Sequence, residues 1–544
     1  MRTVFHWLVT VLAATGEVVP DLVIYGSTPA AITAAVEASG RGRSAIIVCP
    51  EDHVGGMTVN GLGWTDAGNT SAIGGRARDF YREIWKHYRG DAAWKRQTRE
   101  EYRAKSHKPL IDDDERVMWT FEPHVAEAVF ERWLKKAGVK VFRNEWLDRK
   151  SGVAVREGRI LSIRMLSGRE FKGRMFMDAT YEGDLMAASG VAYMTGREPN
   201  SRFNETLNGI QVANAVSHQF DFPVDPYVEP GNTNSGMLPG VEPGPAGTDG
   251  EGDRRLQAYC FRLCMSDHPE NRVPFPKPPG YNPRRYELLL RYFQAGWTDW
   301  KAISTKYDPL PNRKTDTNNH GAFSFDHIGA NHDYPEATYD RRREIIADHR
   351  GYQQGLLWFM ANDLRVPKSV RNGIAPWGLA ADEFKNNGHW PRQLYIREAR
   401  RMLSDFVMTE RHVRRLEPTP DPIGMGSYNI DSHNVRRYVD ANGHARNEGD
   451  VQVPPGGPYP IGYGSIVPKR SECSNLFVPV CLSSTHAAYG SIRMEPVFMI
   501  LGQSAAIAAD MAISANTDVQ SIDKAVLRER LLAALVRLDP TAKH

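Results

Sequence analysis

Asp-Leu-Val-Ile-Tyr-Gly-Ser-Thr-Pro-Ala-Ala, residues 21–31, is the stretch on which the reading of this chain turns. Leu22 to Tyr25 is a short apolar strand, Gly26 a turn, and the alanine-rich run from Ala30 to Ala38 a helix. This strand–turn–helix presents backbone N–H groups and a helix N-terminus to a pyrophosphate. The spacing G-x-G-x-x-G/A falls on Gly26, Thr28 and Ala31, with threonine where glycine is usual and with Pro29 and Ala30 in the turn. A second strand follows at Ser44 to Cys49, and then Pro50, the acids Glu51 and Asp52, and the pair Gly55-Gly56 before Met57.

Gly26-x-Thr28-x-x-Ala31 with Gly55-Gly56-Met57 resembles the FAD-dependent oxidoreductase superfamily with the glutathione-reductase type of FAD fold. Asp178-Ala179-Thr180-Tyr181-Glu182-Gly183-Asp184 resembles its later flavin motif, in which the last aspartate binds the ribityl chain. Tyr181 stands where glycine is common. The C-terminal pairing of Ser484–Pro496 with Gly502-Gln503-Ser504-Ala505 resembles the closing segment of one bacterial branch, some of whose members carry the label xanthan lyase. The stretches 60–66, 121–124, 314–321 and 397–401 also match that branch. The resemblance implies an α/β fold. It has a Rossmann-like FAD domain, a parallel sheet plus β-meander, and an inserted mixed α/β substrate cap. FAD is the implied cofactor. It is held by Gly26, Thr28, Pro29, Ala30, Ala31, Cys49, Pro50, Gly55, Gly56, Met57, Asp178, Ala179, Thr180, Asp184, Gly502, Gln503, Ser504 and Ala505.

Composition agrees with a compact enzyme. The 544 residues carry 68 basic and 65 acidic side chains, a net +3, which argues against a bulk electrostatic nucleic-acid binder. The first 20 residues read as a short secretory signal, with a cytoplasmic extension as the alternative. Past them, no apolar run of membrane-spanning length is expected. The five cysteines show no metal-ligand spacing, so buried thiols are expected, with a disulfide between two of them as the second reading, and no metal.

The motif positions make the FAD domain discontinuous, 21–199 and 421–520, with a cap at 200–420 and a terminal helix at 521–544. Helices are expected over 75–105, 122–137, 338–363 and 392–415, a strand at Lys140–Phe142 and a hairpin at Gly152–Leu166. For chemistry, histidine suits proton removal near neutral pH. His486 is the first candidate, three residues before Tyr489, and His433, with Asp431 two residues earlier to orient it, is the second. His320 and His389 are weaker. Arg493 with Glu495 suits a carboxylate or sugar hydroxyls, or an internal salt bridge. Trp64, Trp377, Trp390 and Tyr489 in polar loops suit a sugar ring. The expected activity is oxidation of a C–H bond next to oxygen or nitrogen of a small polar substrate, with a saccharide as one candidate. A redox-neutral lyase or isomerase and a non-catalytic binding protein are the alternatives. The electron acceptor and oligomeric state are not legible.

Overall fold

The computed structural model describes residues 19–105, 110–299 and 307–539. The signal-like reading of the N-terminus therefore falls almost wholly outside the described residues. Strand β1 (Leu22–Tyr25) is buried on both faces at the centre of a five-stranded parallel sheet. Helix α1 (Pro29–Gly40) follows it, then β2 (Ala45–Val48). After α2 (Pro123–Ala137), β3 (Lys140–Phe142) closes one edge. A three-stranded antiparallel meander then intervenes: β4 (Val153–Arg156), β5 (Arg159–Arg164) and β6 (Glu170–Lys172). Next, β7 (Met175–Asp178) pairs with β1 on its other side. The spatial order is completed by a strand 298 positions downstream of Asp178 in sequence, Leu476–Phe477, beside β7. Continuous apolar runs such as Leu-Val-Ile-Tyr and Met-Phe-Met suit a parallel sheet covered on both faces.

The cap holds an antiparallel five-stranded sheet between Leu263 and Ala380 and a 24-residue helix, Tyr339–Asn362. Residues 422–462 form separate antiparallel pairs that border the cap and do not join the parallel sheet.

Two expectations are corrected. The expected helix over 392–415 is an irregular strap, with only Arg401–Met402 paired as strand and Glu410–Val413 helical. Its arginines are buried and reach across the molecule. Arg397 meets Asp326 at 2.8 Å, Arg400 meets Asp184 at 2.8 Å, and Arg401 meets Glu198 at 2.8 Å. Buried charges require such partners. Second, the helix Glu495–Ala515 is long and apolar enough to cross a membrane, but 94% of its apolar window is buried inside the protein. It is a core helix, and its small residues let it lie directly on α1. A Cβ added to Gly502 would come within 2.2 Å of the Ala30 carbonyl oxygen. The Thr33 hydroxyl donates across this crossing to the Met499 carbonyl at 2.8 Å. All five cysteines are free and buried, as expected.

Candidate active site

The β1–α1 turn is built around a glycine that nothing can replace cheaply. Gly26 has φ +123°, and a Cβ there would lie 2.4 Å from the Ala179 carbonyl oxygen. The turn thus seats directly on the loop after β7, and the Thr28 hydroxyl donates to that same carbonyl at 2.8 Å. Thr28 is the N-cap of α1, but its side chain does not cap the helix, Pro29 opens the first turn, and no acid sits there. The helix N-terminus therefore keeps its partial positive charge and unspent donors. Gly55, in the left-handed region, donates from its N–H to the Ser27 carbonyl at 2.6 Å and brings Gly56-Met57 under the same turn.

A cavity of 290 Å³ opens beside this turn, lined among others by Tyr25, Pro50, Glu51, Thr180, Glu182 and Asp184. Glu51 accepts from the Ser27 hydroxyl at 2.8 Å and pairs with no cation among the described residues. Burial, with the Glu182 carboxyl nearby, pushes Glu51 up to about 7. Cys49, one residue past β2, does not line this cavity; the first acid to reach it, Glu51, is two positions later. Asp184 faces the cavity with its carboxylate already engaged by Arg342 at 2.6 Å, Arg400 at 2.8 Å and Arg149 at 3.2 Å. Asp178 is spent on the loop itself, accepting from the Thr180 N–H and hydroxyl and the Met186 N–H. Gln503 and Ser504 serve packing: Gln503 accepts from the Arg76 N–H at 2.8 Å, and Ser504 donates to the Ile423 carbonyl at 2.6 Å. Ala31 and Ala505 are fully buried at the helix contact.

Tyr181 fills the place where glycine is usual. Its hydroxyl accepts from the Met57 N–H at 3.0 Å and donates to Glu495 at 2.7 Å. Burial pushes Glu495 up to about 8. A folded-state value above the ordinary 4.5 means the contribution to stability is full below about 4.5 and is lost as pH rises through about 8. We expect Glu495→Gln to have a higher Tm than the parent at about pH 9, with the gap closing toward about pH 5. A gap independent of pH in thermal melts would refute this.

The wall between this cavity and a second one is a short run of the strap. Gln393, Leu394 and Ile396 face the first cavity, while Tyr395 faces the second. The second cavity measures 440 Å³ and is strongly polar, with Arg262, Asn318, Asn319, Asp431, His433 and Arg493 among its lining. His433 Nδ1 lies 2.8 Å from Asp326, which also meets Arg397 at 2.8 Å. Burial alone would raise the Asp326 carboxyl, but Arg397 and His433 hold it well below its ordinary range. Asp326 therefore fixes the ring, a partner the sequence did not reveal. Asp431 lies on the other side, 3.7 Å from Nε2. Arg493 binds Asp431 at 3.3 Å and the Tyr395 hydroxyl at 2.6 Å; Glu495 does not pair with it.

His486 is elsewhere. Its ring is buried with both nitrogens engaged, Nδ1 with Glu398 at 2.7 Å and Nε2 with the Ser432 hydroxyl at 3.0 Å. Tyr489 is buried and donates to the Val480 carbonyl at 3.2 Å. Neither lines the second cavity, and neither do Trp64, Trp377 or Trp390; its aromatic residues are Tyr292, Trp297, Tyr395 and Tyr428. His320 lines it, and His389 does not. A trio of possible metal ligands, Glu122, His124 and Glu383, surrounds the Lys314 ammonium, which bonds Glu383 at 2.6 Å and Glu122 at 2.7 Å. A cation is thus already supplied there by the chain itself.

A family model described as FAD dependent oxidoreductase matches residues 21–531. The chain belongs to the FAD dependent oxidoreductase family. Its residues fit the FAD of that family: an uncapped α1 N-terminus, a Gly26 cradle any side chain would fill, and, three residues past β2, an acid with no cation partner among the described residues. Among solved structures, this oxidoreductase is similar to L-proline dehydrogenase from P. horikoshii, at 19% identity and TM-score 0.23, over 33% of this chain and 58% of that one. It is also similar to L-amino acid deaminase from Proteus vulgaris, at 16% identity and TM-score 0.22, over 33% of this chain and 52% of that one. The match thus spans little more than half the length of those two structures. No curated protein matches the chain.

Proposed function

We propose that this oxidoreductase oxidises a hydroxyl-bearing carbon of a small saccharide bound in the cavity at His433. The observation that carries the reading is the charge balance of that cavity. Its two guanidinium groups are already paired, Arg262 with Asp316 at 2.6 Å and Arg493 with Asp431 at 3.3 Å. A carboxylate or phosphate substrate would have to compete with these partners. A neutral ligand rich in hydroxyls instead meets donors and acceptors of both kinds, from Asn318 and Asn319 to Asp431, with aromatic rings for its C–H faces.

In this reading His433 removes the hydroxyl proton at Nε2. Asp326 holds the proton on Nδ1, which keeps Nε2 an acceptor, and the Asp431 carboxylate steadies the imidazolium that forms. Arg493 and Tyr395 orient the substrate. FAD held at the β1–α1 turn would supply the two-electron hydride acceptor that this oxidation requires. The substrate loses two electrons and two hydrogens and leaves as the carbonyl compound.

Anaerobic mixing with panels of sugars, polyols and amino acids tests the reading. Sugars should bleach the flavin band near about 450 nm. Bleaching by amino acids and not by sugars would refute it, and turnover without lasting bleaching would mark a redox-neutral reaction.

A further inference from the structure

Two large apolar side chains stand exposed at or beside the polar cavity. Val216 lines the cavity yet is 75% exposed, and Phe222 six residues on is 39% exposed. Tyr292 and Trp297, which line the same cavity, are stacked, ring centroids 4.4 Å apart and planes 11° from parallel. Phe222 lies 6.3 Å from the Tyr292 ring and borders Gly296. The residues between Val216 and Phe222 are mostly polar and line the cavity. His218 and Gln219 point polar groups to the cavity and the loop around it, the His218 ring accepting from the Gly321 N–H at 3.0 Å and Gln219 donating to the Asn447 carbonyl at 2.9 Å. Val216 and Phe222 offer water only carbon.

Exposed large apolar side chains gathered at the rim of a binding cleft mark a contact surface for ligand. A free monosaccharide would satisfy the floor and leave this rim wet. From the polar floor, the apolar rim and their continuity through Trp297 and Tyr292, we infer that the enzyme takes an amphiphilic glycoside. Its sugar sits in the cavity, and an apolar aglycone, aryl or alkyl, lies on Val216 and Phe222. This inference rests on the saccharide reading above and names the substrate class for that same site.

The aglycone contact is made before and during reaction alike, so it strengthens binding without changing the chemical step. Burying a phenyl group there is expected to lower KM by roughly 10- to 100-fold relative to a methyl glycoside of the same sugar, with kcat within about threefold. The test compares methyl, phenyl and octyl glycosides of one sugar by flavin bleaching, with the parent and with Phe222→Ser and Val216→Ser. In the variants the phenyl-to-methyl KM ratio should approach one, while far-UV circular dichroism and flavin content report that each variant is folded. Equal KM values for methyl and phenyl glycosides in the parent, or a ratio preserved in both variants, would overturn the inference while leaving the saccharide reading standing. Failure of every glycoside and free sugar to bleach the flavin would instead overturn the saccharide reading. A phenyl glycoside that still quenched tryptophan fluorescence in the parent but not in Trp297→Phe in that case, with half-saturation at least tenfold below the methyl one, would preserve the rim alone.

Discussion

His433→Ala is expected to slow flavin reduction by about 10²–10⁴-fold, the usual range for loss of a positioned general base. The expected effect is on the chemical step, because the ring faces the cavity while its outer nitrogen is fixed by Asp326 at 2.8 Å. Asp326→Asn keeps the shape but lets the ring adopt the other tautomer, so it should cost less than His433→Ala and alter the pH profile of kcat. His486→Ala provides the contrast. That ring is locked between Glu398 and Ser432 away from the cavity, so its loss should lower stability by about 1–3 kcal/mol through unpaired buried groups. Flavin reduction in the folded fraction should remain close to normal. Rapid mixing of all three variants checks this, and a large rate loss in His486→Ala with none in His433→Ala would reverse the assignment.

Gly26→Val is expected to abolish FAD retention. The backbone at φ +123° is strained for any L side chain, and the first added atom would sit 2.4 Å from the Ala179 carbonyl oxygen. The clash is with backbone, so a rotamer change cannot relieve it, and the cost exceeds about 4 kcal/mol, the range kept for severe local disruption. The β1–α1 turn must then separate from the loop after β7, which removes two of the three segments that form the nucleotide site. Gel filtration followed by absorbance of the protein peak measures the loss; a yellow Gly26→Val protein with parental flavin content would show that the turn is not where the nucleotide is held. Far-UV circular dichroism separates loss of cofactor from loss of fold.

The parts of this molecule legible in its sequence are those whose cause is local. The β1–turn–α1 unit, the strand at Lys140–Phe142, the helix Pro123–Ala137 and the helix Tyr339–Asn362 each follow from short-range pattern, proline at a helix start or glycine at its end. The Gly55-Gly56 pair is another such signal, since both residues adopt positive φ. What escaped depends on distant partners. The strap at 392–403 carries charges at helix-like spacing, but Arg397 and Arg401 are fully buried against acids far away in sequence. Asp326 is 107 positions from the histidine it orients, and no spacing rule connects them. Glu51 lies three residues past the end of β2 because the chain turns at Pro50 before the acid reaches the cavity, which shifts the position where a ribose-binding acid is sought. Asn318 and Asn319 belong to a stretch whose family resemblance was visible, but only the fold shows that they share a cavity with His433 and Arg493.

A crystal structure of the FAD-loaded enzyme with a saccharide tests the central claim most directly. The segments at Gly26, Gly56 and Asp184, and the Gly502 helix that buttresses them, are expected to surround the dinucleotide, with sugar density in contact with His433. A cofactor that touches none of Gly26, Glu51 and Gly56, or a sugar bound outside the His433 cavity, would contradict the account.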